Sequence, residues 1–386
     1  MEKGMISNFI CPTEIFLGAG SLKQIKAIIQ QEQFRRAMIV TDKGVLNAGL
    51  IQPILAELSE VNCEASVFDG VEPNPTDIVV NQAFVALTNE RPDLLIAVGG
   101  GSSMDTAKAI GILATNGGDI IDYRGVGKVK EPILPVVAIP TTAGTGSEVT
   151  TVTVITDTKM KLKYSVGGRN VAARWALVDP ELTLTVPPHV TAATGVDALT
   201  HAIEAFTSKM SYSVTDSLAK ESIRMISENL RTAVYQGNNL EARSKMLEGS
   251  LIAGLAFNNA KLGLCHALCN PLGAHFNVPH GVANAILLPH STRFNLPART
   301  AKYAEVARLM GESTEGLSLS EAAEKAVSAI ERLIKDVNVP AKLSQVGVTE
   351  DFLPRMVEEC ADNPLVSINP RTATKDDLLQ IYKNAF

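Results

Sequence analysis

Apolar positions in the first half of the chain fall into short runs rich in β-branched residues, separated by longer stretches with helical periodicity. Alternation of this kind predicts parallel strands joined by crossover helices. Several runs are apolar throughout, which is typical of strands covered on both faces. We therefore expect a doubly wound α/β domain over residues 1–186. Its predicted strands are residues 37–41, 65–68, 94–98, 135–139 and 152–156.

The pattern changes after the Pro187-Pro188 pair, where the β-branched runs end and segments with a period of 3.6 residues take over. In residues 318–337, Ser318 and Glu321 have the spacing of a capping box, and an apolar stripe follows them. The stripe consists of Ala322, Ala326, Ala329, Ile330, Leu333 and Val337. An all-helical C-terminal domain over residues 187–386 is expected.

Composition excludes several classes of protein. Apolar residues make up 46% of the chain and charged residues 20%, which is the range of folded globular domains. The net charge of −6 provides no positive field for nucleic acid or anionic membranes. No apolar run reaches the roughly 18 residues that span a bilayer. The N-terminus lacks the apolar run of an export signal, and five cysteines are too sparse for a disulfide framework, so we expect a cytoplasmic protein.

A glycine-rich turn follows the predicted strand 94–98. Gly99, Gly100, Gly101 and Ser102 lead into an apolar-periodic helix, so the backbone can approach an anion at the positive end of that helix. This arrangement suits a pyrophosphate. The turn does not match the G-x-G-x-x-G fingerprint, and a tight turn capped by Ser102 or Ser103 is the alternative.

A second loop supports a dinucleotide site. Residues 141–148 (TTAGTGSE) follow the strand 135–139, so they are expected at the same carboxyl edge of the sheet, where α/β proteins bind ligands. Asp42, at the end of strand 37–41, is placed to accept a ribose 2′-hydroxyl and to repel a 2′-phosphate, which favours NAD over NADP. A plain Ser/Thr-rich loop and an ordinary turn residue are the alternative interpretations.

Asp197 and His201 lie four residues apart in a helical stretch. Four residues rotate by about 400°, so both side chains leave one helix face about 6 Å apart and can share a cation. His266 and His280 would be about 21 Å apart on an unbroken helix. The chain must therefore turn back, and residues 277–281, with Pro279 and a following glycine, supply that break.

Three imidazoles and one carboxylate suit a divalent transition ion such as Fe(II) or Zn(II), and they suit Mg or Ca poorly. The alternative for any single histidine is a hydrogen-bonded interior residue. Cys265 and Cys269 lie in apolar surroundings and are predicted to be small buried side chains rather than ligands. His275 is nine residues beyond His266 and should point away from it.

Together these segments resemble the iron-containing, group III alcohol dehydrogenase family over essentially the whole chain. The resemblance is carried by Gly99–Ser102 with Asp105 and Lys108, by residues 141–148, by residues 195–204 (GVDALTHAIE) and by residues 279–284 (PHGVAN). The members most similar in these motifs are lactaldehyde:propanediol oxidoreductases and 1,3-propanediol dehydrogenases. The resemblance implies an N-terminal dinucleotide-binding α/β domain and a C-terminal helical domain, a fold shared with dehydroquinate synthase.

The resemblance also implies roles for individual residues. Metal ligation is carried onto Asp197, His201, His266 and His280. Contacts with NAD are carried onto Asp42, Asn74, Gly100, Gly101, Ser102, Thr141, Thr142, Thr145 and Lys163. Asn270 and His280 are placed near the substrate. The implied activity is hydride transfer between NAD and the metal-polarised carbonyl of a short aldehyde, with oxidation of an alcohol or diol as the reverse reaction, in a homodimer or larger homo-oligomer. The amide of Asn270 indicates a substrate with a polar substituent.

Two positions depart from the family pattern. Ser103 stands where a proline is usual, at the start of a helix, where the change should be mild. Asn270 stands one turn after His266, where many members carry another histidine. An amide does not titrate near neutral pH, so no proton relay passes through Asn270.

Two other functions stay open at the level of sequence. One is a dehydroquinate-synthase-like lyase, although residues 195–204 and 263–284 contain no Lys or Arg to bind a phosphorylated substrate. The other is a non-catalytic paralogue that binds nucleotide and metal, an alternative that Asn270 favours.

Overall fold

Nine strands and fifteen α-helices are present in the computed structural model, which describes residues 6–160 and 162–386. The strands are β1 (Glu14–Leu17), β2 (Arg36–Val40), β3 (Glu64–Phe68), β4 (Leu94–Gly99), β5 (Gly125–Val126), β6 (Val136–Pro140), β7 (Val152–Asp157), β8 (Leu162–Gly167) and β9 (Trp175–Val178). Six of them form one parallel sheet in the order β1-β9-β6-β4-β2-β3.

Five α-helices accompany this sheet. They are α1 (Gln24–Glu32), α2 (Lys43–Asn47), α3 (Gln52–Glu60), α4 (Asp77–Glu90) and α5 (Gly101–Asn116). The central strands are buried on both faces, as their apolar runs predicted. In β2, Met38 packs into a core with α4 and α5, whereas Ile39 packs into a second core with α1 and α3. Each fully buried aliphatic side chain contributes about 1.5–3 kcal/mol, so the two cores hold helices on both faces of the sheet.

One strand prediction was wrong in its pairing. Residues 152–156 do form a strand, but β7 pairs antiparallel with β8 in a separate three-stranded sheet, in the order β5-β8-β7. The reason is the length of the connection, since β8 begins five positions after β7 ends. Parallel neighbours need a crossover of a dozen or more residues, whereas a short turn joins antiparallel strands.

The second half of the chain is helical, as predicted. Its helices are α6 (Pro188–Thr207), α7 (Ser213–Tyr235), α8 (Leu240–Ala260), α9 (Leu264–Phe276), α10 (His280–Asn295), α11 (Thr300–Leu309), α12 (Leu319–Asp336), α13 (Leu353–Ala361), α14 (Pro364–Ile368) and α15 (Lys375–Asn384). The capping box predicted for α12 is present, because the Ser318 hydroxyl accepts from the Glu321 amide and the Glu321 carboxylate accepts from the Ser318 amide.

The chain divides into two units, one of residues 10–186 and one of residues 187–386. Residues 6–9 group with the helical unit rather than with the sheet that follows them in the chain. One contact with that unit is the hydrogen bond from the Tyr212 hydroxyl to the carbonyl of Asn8, at 3.0 Å. No helix of the described residues is long and apolar enough to cross a membrane. The prediction that no export signal is present depends in part on residues 1–5, which lie outside the described residues.

Candidate metal centre and cofactor loops

Helix α6 presents Asp197 and His201 on one face, one turn apart, as their spacing predicted. Both side chains are buried, at 2% and 5% exposure. The ring of His201 stacks on Phe257 from α8, with ring centroids 4.4 Å apart. The face of α6 that carries these polar groups is therefore turned into the helical unit and not toward solvent.

The chain reverses between His266 and His280, where the sequence indicated a break. Helix α9 ends at Phe276, Asn277 adopts a left-handed conformation with φ of 52°, and α10 begins at His280 itself. Gly281 allows α10 to approach α6 closely, because a Cβ at that position would lie 2.2 Å from the carbonyl oxygen of Ala193. This close approach brings His280 to the face of α6 that carries Asp197.

The four predicted ligands converge. One ligand atom from each of Asp197, His201, His266 and His280 lies within 4.8 Å of all the others. The Asp197 Oδ1 is 3.9 Å from the His266 Nε2 and 3.7 Å from the His280 Nε2. Three imidazole nitrogens and a carboxylate oxygen at these separations fit the donor set of a divalent transition ion.

Glu204 determines the tautomer of His266. Its Oε2 lies 2.6 Å from the His266 Nδ1, and its Oε1 accepts the backbone N–H of Cys265 at 2.6 Å. A carboxylate only accepts, so the proton resides on Nδ1 and leaves the Nε2 lone pair directed at the other ligands. A histidine ligand is commonly held in this way by a second group behind it.

The electrostatics of the cluster favour an ionised Asp197. Burial by itself would raise the pKa of this carboxyl, but the adjacent His201, His280 and His266 and the amide of Asn284 lower the pKa below its ordinary value. Asp197 is therefore the anionic group among the four predicted ligands.

Both cysteines of α9 are buried, as predicted, but Cys269 contacts a predicted ligand and Cys265 contacts Asn284, which lies among the ligands. The Cys269 sulfur lies 3.5 Å from the His280 Nδ1. The Cys265 thiol donates toward the Oδ1 of Asn284, and burial raises the pKa of that thiol well above its ordinary value. His275 points elsewhere, as expected, and pairs with Glu359 at 2.7 Å. Asn270 is half-buried in α9.

The glycine turn and the second loop lie against each other in the α/β unit. Gly99 has φ of 145°, a conformation that side chains disfavour. A Cβ on Gly100 would lie 3.3 Å from the Thr142 hydroxyl, and one on Gly101 would lie 3.0 Å from the Thr145 methyl. Without side chains at these positions, the second loop packs closely against the first turn of α5, and we call this junction the cradle. The positive end of α5 lies there, which suits the approach of a pyrophosphate.

The remaining predicted cofactor residues lie in three places. Thr141 donates its N–H to the carbonyl of Gly99, which places it at the cradle, and Ser102 lies in the first turn of α5. Asp42 caps α2 by accepting the Val45 N–H at 3.0 Å, the turn role that was its alternative interpretation. Asn74 has φ of 56° and accepts from the Lys163 Nζ at 2.7 Å, so these two residues form a separate pair.

Lys108 joins α5 to the end of the second loop and the start of β7. Its buried ammonium lies within hydrogen-bond distance of the carbonyls of Ser147, Thr150 and Val152, at 2.6, 3.0 and 3.1 Å. One turn earlier on α5, Asp105 accepts from the Ser147 hydroxyl at 3.0 Å. Burial lowers the pKa of Lys108 to about 8 and raises the pKa of Asp105 to about 6.

Three residues of these sites escaped prediction from sequence, namely Glu204, Asn284 and Lys108. All three lie inside motifs that carried the family resemblance. A positional signal was present for two of them, since Glu204 is one turn after His201 and Asn284 is one turn after His280. Nothing in the sequence pairs Lys108 with the loop 39 to 44 positions away that it contacts.

Comparison with known proteins identifies the family. Residues 12–180 match the family model described as iron-containing alcohol dehydrogenase, and residues 191–386 match the model for the C-terminal part of the same family. The chain is 40% identical to an NAD-dependent methanol dehydrogenase of Bacillus methanolicus, over 98% of this chain and 100% of that protein. It is 42% identical to a 1,3-propanediol dehydrogenase of Klebsiella pneumoniae, over 98% of both chains.

A lactaldehyde reductase of Escherichia coli is 38% identical over 99% of this chain and 100% of that protein. Among solved structures, a 1,3-propanediol oxidoreductase superposes with a TM-score of 0.97 at 42% identity, covering 99% of this chain and 100% of that one. A sulfoacetaldehyde reductase of Bifidobacterium kashiwanohense, solved with NAD⁺, superposes with a TM-score of 0.89 at 33% identity, covering 99% of both chains.

These matches confirm the resemblance, the fold class and the enzyme class predicted from the motifs, and they do not favour the lyase or the non-catalytic paralogue. The chain belongs to the iron-containing alcohol dehydrogenase family.

Proposed function

We propose that this protein is an NAD-dependent, metal-dependent alcohol dehydrogenase and aldehyde reductase that acts on a short aldehyde or diol carrying a polar substituent. The observation that carries the proposal is the convergence of one carboxylate oxygen and three imidazole nitrogens within 4.8 Å of one another, in a chain of this family. Nothing in the composition opposes a small-molecule substrate.

The proposed metal ligands are Asp197, His201, His266 and His280, and the proposed ion is Fe(II). The family description supports iron. Zn(II) suits the same donor set, so the identity of the ion is a matter for elemental analysis. A divalent cation at these residues would polarise the substrate carbonyl, while NAD would accept or supply the hydride.

The chain's own residues hold the ligand atoms in place. Glu204 keeps the proton of His266 on Nδ1, so the Nε2 lone pair of His266 stays available to a metal ion. Asp197 brings a single negative charge into a buried site, where charges interact strongly. The polar groups come from three different helices, so the site depends on the packing of α6, α9 and α10.

The proposed NAD contacts are the nine residues that the family resemblance implies. Support comes from the cradle at Gly100 and Gly101 and from the Asn74–Lys163 pair. Asp42 lies at the carboxyl end of β2, and a Cβ on Gly99 would approach its Oδ2 to 3.5 Å, so the carboxylate is beside the glycine turn. A carboxylate there repels a 2′-phosphate and favours NAD over NADP.

Asn270 and His280 are the residues proposed to lie near the substrate. An amide offers both donors and an acceptor but carries no titratable proton near neutral pH. We therefore infer that Asn270 hydrogen-bonds a polar substituent of the substrate and that water or another group moves the proton. The named relatives act on methanol, 1,3-propanediol, lactaldehyde and sulfoacetaldehyde, which are all small molecules.

We further propose a cytoplasmic homodimer or larger homo-oligomer. The cytoplasmic assignment is supported by the cysteines, since none of the five forms a disulfide in the described part of the chain. The assembly is supported by the family resemblance and is tested by light scattering of the purified protein.

The test measures oxidation of NADH by absorbance with a panel of short aldehydes, together with elemental analysis. Replacement of His266 or His280 by Ala should remove bound metal and turnover together. His290→Ala is the matched control, because His290 also lies on α10 but outside the ligand set, and it should keep both. A His266→Ala variant with full activity and no metal would refute the proposal. Nucleotide binding without NADH oxidation on any aldehyde would favour a non-catalytic paralogue.

A further inference from the structure

Asn284 lies among the candidate metal ligands without being one of them. It is fully buried on α10, one turn after His280. Its Nδ2 lies 2.6 Å from the Oδ1 of Asp197, 3.1 Å from the Nε2 of His266 and 3.3 Å from the Nε2 of His280. One amide group thus contacts three of the four proposed ligands, which come from three different helices.

The surroundings of the amide determine which of its two ends faces the ligands. The Asp197 carboxylate only accepts hydrogen bonds, and the His266 Nε2 is an acceptor because Glu204 holds the proton on Nδ1. The amide N–H groups must therefore face the ligand atoms. At the opposite end, the Oδ1 lies 3.6 Å from the thiol sulfur of Cys265, which is a donor. Each end of the amide faces a group of the complementary kind.

We propose that Asn284 is a positioning residue of the metal centre, which holds the Asp197 carboxylate in the orientation required for ligation. This inference rests on the proposed metal-binding function of Asp197, His201, His266 and His280. The hydrogen bond to Asp197 is compatible with ligation, because a carboxylate offers about four lone-pair sites on two oxygens. The same hydrogen bond satisfies one acceptor position of a buried carboxylate, and an unsatisfied acceptor is costly in a protein interior.

The role predicts a loss of metal affinity when the amide is removed. Groups behind the ligands typically contribute about 10- to 100-fold to metal affinity. Asn284→Leu keeps the branched shape and removes both donors, so the Zn(II) dissociation constant should rise by about 10- to 100-fold. The matched control is Asn295→Leu. Asn295 is a buried asparagine further along α10, and it exchanges hydrogen bonds with Asn369 rather than with a proposed ligand.

The experiment strips the full-length protein of metal and titrates Zn(II) in competition with a chromophoric chelator. Asn295→Leu should bind Zn(II) as the wild type does, whereas Asn284→Leu should bind it more weakly. Substitution with Co(II) reports the ligand geometry, and the visible absorption bands should shift in Asn284→Leu alone. Neither measurement depends on turnover, and a purely structural role for Asn284 would leave the Co(II) bands of the folded variant unchanged.

Zn(II) affinity in Asn284→Leu within about twofold of the wild type overturns the proposal. If circular dichroism shows that this variant does not fold, Asn284→Ser replaces it. Serine is too short to reach Asp197, so the same loss is expected, and wild-type affinity in that variant overturns the proposal equally. His266→Ala distinguishes failure of the proposed metal site from failure of the proposed role of Asn284. Wild-type Zn(II) affinity in that variant would contradict the metal site itself.

Discussion

The Nδ1 of His266 lies 2.6 Å from the Oε2 of Glu204, and both side chains are buried. The second oxygen of the same carboxylate accepts the backbone N–H of Cys265, at the start of α9. Glu204 therefore connects α6, which carries Asp197 and His201, to the helix that carries His266. A single carboxylate orients a proposed ligand and joins two of the helices that carry the candidate site.

Replacing Glu204 should weaken metal binding and destabilise the fold. In Glu204→Ala the metal affinity should fall by about 10- to 100-fold, because the His266 ring loses its orienting partner. The free energy of unfolding should fall by about 1–3 kcal/mol, because the Cys265 N–H loses its acceptor. Chelator competition and urea unfolding measure the two effects. Glu204→Gln keeps one acceptor oxygen and should lose less of both, and equal metal affinity in all three proteins would contradict the orienting role.

The contact of Gly281 with α6 should tolerate no side chain. A Cβ there would lie 2.2 Å from the carbonyl oxygen of Ala193, which is backbone and cannot rotate away. Gly281→Ala should therefore push α10 from α6, displace His280, cost about 1–3 kcal/mol or more of stability and lower metal affinity. Thermal unfolding and metal content after dialysis measure both changes.

Gly195→Ala provides the comparison for that variant. A Cβ on Gly195 would lie as close, 2.3 Å, to a neighbouring atom, but that atom is the Cδ1 of Leu230 at the end of a flexible side chain. Leu230 can change rotamer, so we expect Gly195→Ala to lose less stability and to keep its metal. If the two variants lose metal equally, the rigidity of the contacted atom does not determine the loss of metal.

Periodicity predicted the layers of the fold but not the complete strand set. Long apolar runs such as that of β4 are unambiguous because both faces of the strand are buried. The edge strand β1, residues Glu14–Leu17, has no fully buried side chain and left no such signal. The antiparallel pairing of β7 was missed because its partner β8 was not among the predicted strands, so the short connection between them was not recognised.

Spacing predicted each half of the ligand set but not how the halves meet. A separation of four residues on one helix is a local property, so the pairing of Asp197 with His201 could be predicted. The partner of Glu204 is 62 positions away, and that contact depends on how α6 packs against α9. Helical periodicity contains no information on such packing. The family motifs contained Glu204, but its contact with His266 could be seen only in the folded structure.

Lys108 should matter for nucleotide binding although it is fully buried. Its ammonium holds the loop after β6 against α5, and both segments contribute proposed NAD contacts. Lys108→Met should release that loop and raise the NADH dissociation constant severalfold, measured by NADH fluorescence, while metal content stays constant. Lys302→Met is the control, since Lys302 makes a comparable set of bonds to Phe206, Ser211 and Asp216 in the helical unit. Equal NADH affinity in both variants would contradict the prediction.

Glu148 should make stability depend on pH. Burial raises the pKa of Glu148 to about 7, from an ordinary value of 4.5, and its Oε1 has no hydrogen-bond partner in the described residues. Between these two values the folded state binds a proton that the unfolded state has released, so this group lowers stability as the pH rises through that window. Glu148→Gln stays neutral throughout and escapes this loss.

The comparison is made by urea unfolding at pH 5 and pH 8. From pH 5 to pH 8 the free energy of unfolding of the wild type should fall relative to that of Glu148→Gln, by an amount on the order of a few kcal/mol. If the free energies of unfolding of the two proteins change equally between pH 5 and pH 8, Glu148 does not change its ionisation in this range.

Asn270→His should add an ionisation to the pH profile of alcohol oxidation. Asn270 is half-buried and lies one turn after His266, and the proposed function places it near the substrate, so an imidazole at this position is expected at the proposed substrate region. A neutral imidazole accepts a proton and an imidazolium does not, so kcat/KM of this variant should fall as the pH drops below about 6.5. Asn270→Gln, which cannot titrate, should keep the wild-type profile. If the profiles of the histidine and glutamine variants superimpose, side chain 270 lies outside the path of the proton, and the amide at this position acts on the substrate only by hydrogen bonding.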